Sequence, residues 1–330
     1  VLRKLVLSLA AASLLAAGAA DAATKPAKKA KPSPTSGVVL INTNLGLAGG
    51  SAAGTGIVLT KTGEVLTNNH VIAGATSITV TVPASGKSYT ANVVGYDISD
   101  DVALIQLKGA ANLATATFGS SAKLKLGQTT RAVGNAEGGG KLVQTVGKVT
   151  GLNQTIQVQD DYGDLRQLST LVRTSARLVP GDSGGPLLDA ATNKVVGMDA
   201  AGSANFQFNT SSTGYAIAID KVLTLGRQIA AQKASTLVHI GATAFIGVSP
   251  QDTPGGVVIQ SIVPDSPAAQ TGLQPGDVLT SIDGTAVQTT DDLRTLLFQH
   301  HPDDSLTLGY TDSSGNAQTA TITLASGPPQ

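Results

Sequence analysis

Gly181-Asp182-Ser183-Gly184-Gly185-Pro186 is the stretch on which the reading of this chain turns. Gly181 and Gly184 allow unusual backbone angles, which would aim the amides of Gly181 and Ser183 at a developing oxyanion. A serine hydroxyl is a weak nucleophile at neutral pH unless an imidazole takes its proton and a carboxylate holds that imidazole in one tautomer. Both groups lie upstream. TNNHV surrounds His70, which directly follows the β-rich run Glu64–Asn69, and DVALI opens at Asp101. Asp100 and Asp101 compete for the carboxylate role. Asp101 is preferred because it abuts the apolar run Val102–Leu107, which reads as a buried strand, and Asp100 is then a solvated loop carboxylate.

The chain order His70, Asp101, Ser183 argues for a chymotrypsin-like double β-barrel, because subtilisin-like and α/β-hydrolase enzymes use other orders. Strand patterning agrees with a mainly β fold. Short β-branched runs separated by Gly, Asn and Asp recur at Gly56–Leu59, Glu64–Thr67, Ser77–Val82, Ala91–Val94 and Val102–Leu107. A second set covers Gln128–Val133, Val143–Val149, Gln154–Gln159, Leu168–Thr174, Pro186–Leu188, Val195–Met198 and Gly214–Ile217. Two six-stranded barrels accommodate them, with His70 and Asp101 from the first, Ser183 from the second, and the site in the cleft between. A helix over Asp220–Lys233 closes this unit, and a new β-rich unit follows a short join.

GTGIVLT at 54–60, VLTNNHVIAGAT at 65–76, GDSGGP at 181–186 and VHIGATAFIGV at 238–248 resemble the HtrA/Deg family of trypsin-like serine proteases carrying a C-terminal PDZ domain, and within it the secreted PepA-like proteases. The resemblance covers most of the chain. It implies endopeptidase action on unfolded or flexible polypeptides, with His70, Asp101 and Ser183 as the catalytic residues. It also implies a PDZ-like α+β domain that binds peptide C-termini for substrate recruitment or regulation. The alternative is a peptide-binding, chaperone-like envelope protein with weak proteolysis.

The resemblance places the primary specificity pocket in the segments before Ser183 and after Val195. By ungapped counting Arg177 stands at the pocket base, where relatives carry a small residue, and Asp199 sits on the facing strand. We expect Arg177 and Asp199 to pair, leaving a shallow pocket lined by Ala200, Ala201 and Gly202 for small aliphatic side chains. Ala200 also replaces a hydroxyl residue that in relatives bonds the catalytic carboxylate, so a slower enzyme is expected. In the PDZ-like unit, Phe245, Ile246, Gly247 and Val248 resemble the carboxylate-binding loop. SPAAQTGLQPGDVLTSIDG at 266–284 matches a short helix, turn and strand. Asp291–His300 reads as the groove helix, with Leu293, Leu296 and Leu297 as apolar candidates and Leu293 and Leu297 assigned to the groove.

Composition narrows the remaining classes. Lys plus Arg and Asp plus Glu each number 22, so the formal charge is zero and there is no electrostatic footprint for nucleic acid. Cysteine is absent, which excludes disulfides and thiolate metal sites. His300 and His301 are adjacent and so point in different directions on a helix, and their place at its C-terminus explains them better than a metal does; His239 reads as a linker or packing residue. Gly86-Lys87-Ser88 lacks the upstream glycine of a phosphate-binding loop, because position 81 is Thr. No metal and no cofactor is expected.

Arg3 and Lys4 precede an apolar run from Leu5 to Ala17 and then small residues, the pattern of a signal peptide cut after Ala22. The run is short for a bilayer span, so no stable membrane anchor is expected and the protein is read as exported. The expected limits are 1–22 signal peptide, 23–37 Lys/Pro-rich linker, 38–233 protease domain, 234–239 linker and 240–330 PDZ domain. Trimerisation is known in the family through aromatic residues before the first barrel strand. Ala23–Leu40 contains none, so a monomer or weak homo-oligomer is expected.

Overall fold

The computed structural model describes residues 31–159, 165–200 and 213–330. Its first barrel is built from β1 (Val38–Asn44), β2 (Ser51–Val58), β3 (Glu64–Thr67), a one-turn helix α1 (Asn69–Ile72), β4 (Ser77–Val82), β5 (Lys87–Asp97) and β6 (Val102–Leu107). The strands run in the order β5-β4-β1-β2-β3-β6, and pairing of β5 with β6 closes the ring. Ile41, Val65, Val80, Tyr96, Ala103 and Ile105 share one apolar cluster, all six fully buried.

The second barrel comprises β7 (Thr129–Gly134), β8 (Val143–Gln159), β9 (Leu165–Thr174), β10 (Pro186–Asp189), β11 (Val195–Asp199) and β12 (Gly214–Ala218). It is closed in the order β10-β11-β12-β9-β8-β7, the six-stranded arrangement expected from the sequence. The two runs Val143–Val149 and Gln154–Gln159 form one long strand, interrupted by register shifts at Gly151 and Gln154.

Helix α2 (Ile219–Ala230) buries Ile219, Val222, Gly226 and Ile229, one apolar stripe at helical spacing. That stripe joins Leu66 and Leu104 of the first barrel and Met198 and Ile217 of the second in one core cluster, so both barrels share the same buried wedge. The helix stops three residues before the expected Lys233, because Gln232 takes a left-handed φ of 56° that ends the spiral.

Val238 and His239, expected in a linker, open a strand instead. β13 (Val238–Ile240) pairs antiparallel with β5 and becomes the seventh strand of the first sheet. Gly95 makes room for it: a Cβ there would lie 2.5 Å from the His239 carbonyl oxygen. Then β14 (Thr243–Phe245) leads into a small sheet of β15 (Val248–Thr253), β16 (Gly256–Ile262), β17 (Val278–Ile282), β18 (Thr285–Ala286), β19 (Ser305–Thr311) and β20 (Ala317–Thr323). Helix α3 (Thr290–Leu297) packs on it, started by a reciprocal cap between Thr289 and Asp292. The final strand, β21 (Ala325–Gly327), pairs with β14. Ile246, Val257, Leu279, Leu293 and Leu308 are among the buried core of this unit.

Candidate active site and peptide groove

β3 delivers Thr67, and Asn68 turns the chain into α1, so His70 sits on a single helical turn rather than on the strand end itself. Its Nδ1 lies 2.8 Å from Asp101 Oδ2, and its backbone N donates to Asp101 Oδ1 at 3.0 Å. The carboxylate thus grips both the ring and the main chain of His70, which fixes the ring nitrogen that bears the proton. Asp101 holds a left-handed φ of 54° just before β6. Asn68 Nδ2 donates to the Asp101 carbonyl at 2.9 Å and supports that turn. Asp100 is not a free loop carboxylate: it forms an ion pair with Lys221 of α2, which ties the loop to the helix shared by both barrels.

The Gly181–Gly184 segment reaches the same place from the second barrel. Gly181 has φ 94°, and a Cβ there would meet the Asn135 carbonyl oxygen at 2.2 Å. Thr55 N donates to the Ser183 carbonyl at 2.8 Å, and Thr55 Oγ1 donates to the Gly181 carbonyl at 2.7 Å. Thr67 Oγ1 in turn donates to the Thr55 carbonyl at 2.8 Å, and a Cβ on Gly184 would lie 2.3 Å from that hydroxyl. The serine turn is therefore stapled to β2 and to the end of β3, beside the residues that lead into His70.

Behind the turn the electrostatics change. Asp199, at the end of β11, is fully buried, and among the described residues neither of its carboxyl oxygens has a hydrogen-bond partner. Burial, and secondarily the charge of Asp182, hold its carboxyl well above the usual carboxylate range. Asp182 is pushed up to about 6 by burial, against the Val179 amide that donates to it. The backbone of Asp199 meets the serine turn directly: its carbonyl accepts from Gly184 N at 2.9 Å and its N–H donates to the Gly185 carbonyl at 2.7 Å.

The expected Arg177–Asp199 pair does not form. Arg177 is exposed, while Asp199 is sealed in the interior, a place a guanidinium could reach only by losing its water. Ala200 is buried in the core shared by the barrels, and Ala201 and Gly202 lie outside the described residues.

In the second unit Phe245, Ile246, Gly247, Val248, Leu293 and Leu297 all line one cavity of about 600 Å³ between β15 and α3. Leu293 and Leu297 serve the core as well, and Leu296 packs against that core without lining the cavity. Gly247, with φ 86°, is required by its approach to Ser266, whose Cβ would stand 2.1 Å from an added Cβ. His239 is a packing residue: its ring contacts Tyr96, Phe298 and His301, and its nitrogens face the carbonyls of Phe298 and Ala242.

Residues 54–198 match the trypsin-like peptidase domain family, and residues 244–324 match the PDZ domain family. Serine protease PepD of Mycobacterium tuberculosis is 28% identical over 301 residues, covering 87% of this chain and 63% of PepD. The chain is a homologue of the HtrA/Do serine proteases. The probable periplasmic serine endoprotease DegP-like of Halomonas elongata is 30% identical, over 83% of this chain and 56% of its own length. This HtrA homologue thus spans about three fifths of the length of both relatives. Among solved structures, the HtrA-type protease AlgW with tripeptide superposes with a TM-score of 0.50 at 25% identity, over 91% of this chain and 99% of AlgW.

Thr55, Thr67, Asn68 and Asn135 organise the site in the HtrA homologue without having been singled out from its sequence. Thr55 and Thr67 fall within GTGIVLT and VLTNN. A threonine buried in an otherwise apolar strand needs a hydrogen-bond partner, and that was the available signal.

Proposed function

We propose that this chain is a serine endopeptidase acting on unfolded or flexible polypeptides, with the PDZ unit holding peptide C-termini. The two-point grip of Asp101 on His70, beside a serine turn stapled to the same strands, carries this reading. Ser183 Oγ attacks the scissile carbonyl carbon while His70 Nε2 takes its proton, and the imidazolium so formed is stabilised by Asp101. The amides of Gly181 and Ser183 receive the oxyanion, and His70 then protonates the leaving amine. Water repeats the sequence on the acyl-enzyme and releases the acid product.

In the PDZ unit, a peptide adds as a strand to the β15 edge, and its carboxylate meets the turn at Phe245–Val248. Export is part of the same proposal. It is supported by the leader-like composition of residues 1–22 and by a relative whose name includes periplasmic. Among the described residues no helix is long and apolar enough to cross a membrane. A monomer or weak homo-oligomer is proposed, to be checked by light scattering.

The deciding experiment is fluorophosphonate labelling and casein cleavage by the wild type and by Ser183→Ala. Both are expected in the wild type and neither in the variant. A wild type that neither labels nor cuts would move the reading to a peptide-binding protein. N-terminal sequencing of the cell-derived product, expected to begin at Ala23, tests export.

A further inference from the structure

The groove beside β15 is not walled by the PDZ unit alone. Leu47 and Ala48, from the β1–β2 loop of the first barrel, line the same cavity, as do Pro328, Pro329 and Gln330 at the far end of the sequence. β15 is an edge strand, so its outer backbone groups face this space. A segment lying there could itself have paired with β15 and filled the groove. Pro328 and Pro329 carry no N–H, so they cannot add as a strand. They use a carbonyl in the other direction. Gly74 N donates to the Pro329 carbonyl at 2.8 Å, and Asn69 Nδ2 donates to a Gln330 oxygen at 2.9 Å. Gln330 N also donates to Tyr96 Oη at 3.3 Å, and that hydroxyl is bonded to Thr243 Oγ1 of β14. Pro329 is buried by these contacts, whereas Leu47 is 50% exposed, an apolar side chain turned toward the cavity with its burial incomplete. At the opposite end, Asp252 of β15 accepts from Thr290 N and Oγ1 of α3, which bounds the groove.

We propose that the groove is a two-domain site, which takes a short extended peptide with apolar side chains and a free carboxylate and clamps it between β15 and a second wall formed by Leu47 and Pro328–Gln330. The proposal rests on the peptide-binding reading of the PDZ unit and adds that the peptidase domain supplies part of the specificity. Leu47 completes its burial against the bound peptide. The peptide presses the Pro328–Gln330 segment onto Gly74 and Asn69, on either side of the turn that holds His70. Occupancy of the groove therefore tightens the docking of the two domains at the helix bearing His70.

The test uses the full chain and a fluorescein-labelled peptide with an apolar C-terminal sequence and free carboxylate, with its amidated twin as control. Leu47→Ala is expected to weaken binding about fivefold, the consequence of losing half a leucine's burial. Deletion of Pro328–Gln330 is expected to weaken it at least as much. Hydrogen exchange read on the wild type should show the Gly74 amide more protected when peptide is bound. Unchanged affinity in both variants, tighter binding after the deletion, or unchanged protection at Gly74 would overturn the two-domain site. If the wild type fails to bind the peptide, and Leu293→Asp is indistinguishable from it, the peptide-binding reading itself falls. Leu47 stands half exposed on a loop, so that variant is expected to fold, with a circular dichroism spectrum and thermal midpoint close to those of the wild type.

Discussion

Asp101 and Asp199 are both aspartates beside the serine turn, and they are treated in opposite ways. Asp101, partly open to solvent, takes one donor on each oxygen, both from His70. Asp199, fully buried, takes none among the described residues and feels the charge of a second acid, Asp182. The first-barrel half of the site is electrostatically complete, and the second-barrel half carries a standing cost. A satisfied carboxylate holds one geometry, whereas an unsatisfied one makes its surroundings sensitive to protonation.

The largest test of this contrast is Asp101→Asn. It keeps the shape and removes the charge, so kcat is expected to fall by about 10⁴-fold with little change in stability. A fall of less than tenfold would show that the grip on His70 is structural only.

Asp199→Asn tests the other half. Because Asp182 and Asp199 have carboxyl pKa values raised in the folded state, their favourable contribution is fully present below the unfolded value of about 3.9. It is lost as pH rises, through about 6 for Asp182, and Asp199 acts in the same direction. The wild type should therefore lose on the order of 2 kcal/mol between pH 4 and pH 8 from Asp182, with a further loss of the same sign from Asp199. The asparagine variant should lose visibly less in denaturant midpoints measured across that range. Parallel curves would place the cost elsewhere.

Lys221→Ala removes the partner of Asp100 and is expected to cost about 1 kcal/mol, read from a thermal midpoint at pH 7. The smallest effect belongs to Ala200→Thr. Each oxygen of Asp101 already has a donor, so an added hydroxyl should alter kcat by less than about threefold. A larger gain would mean that Asp101 is under-bonded and would narrow the contrast with Asp199.

The parts of the site legible in the sequence are those encoded locally. GDSGGP, the residues before His70 and the apolar run after Asp101 each specify a turn or strand through near neighbours, and both barrels follow from period-two patterning. The role of Thr55 depends on a contact with Gly181, far away in the chain, and no local pattern records such a register. The Arg177–Asp199 expectation failed for a related reason: charge complementarity can be read from letters, but burial depth cannot. The join after α2 misled because Val238–Ile240 is too short to announce itself as a strand, and its partner edge on β5 is set by Gly95.

That shared strand bears on how such a chain can be recombined. A chimaera cut before Val238 would leave the peptidase with an open β5 edge, because the residues that had closed it would leave with the displaced native module. The tolerant crossover point lies at Gly241, which has a φ of 85° and nothing near its missing side chain. Exchange of the peptide-binding module, in the laboratory or in descent, is expected to succeed at that glycine and to fail a few residues earlier.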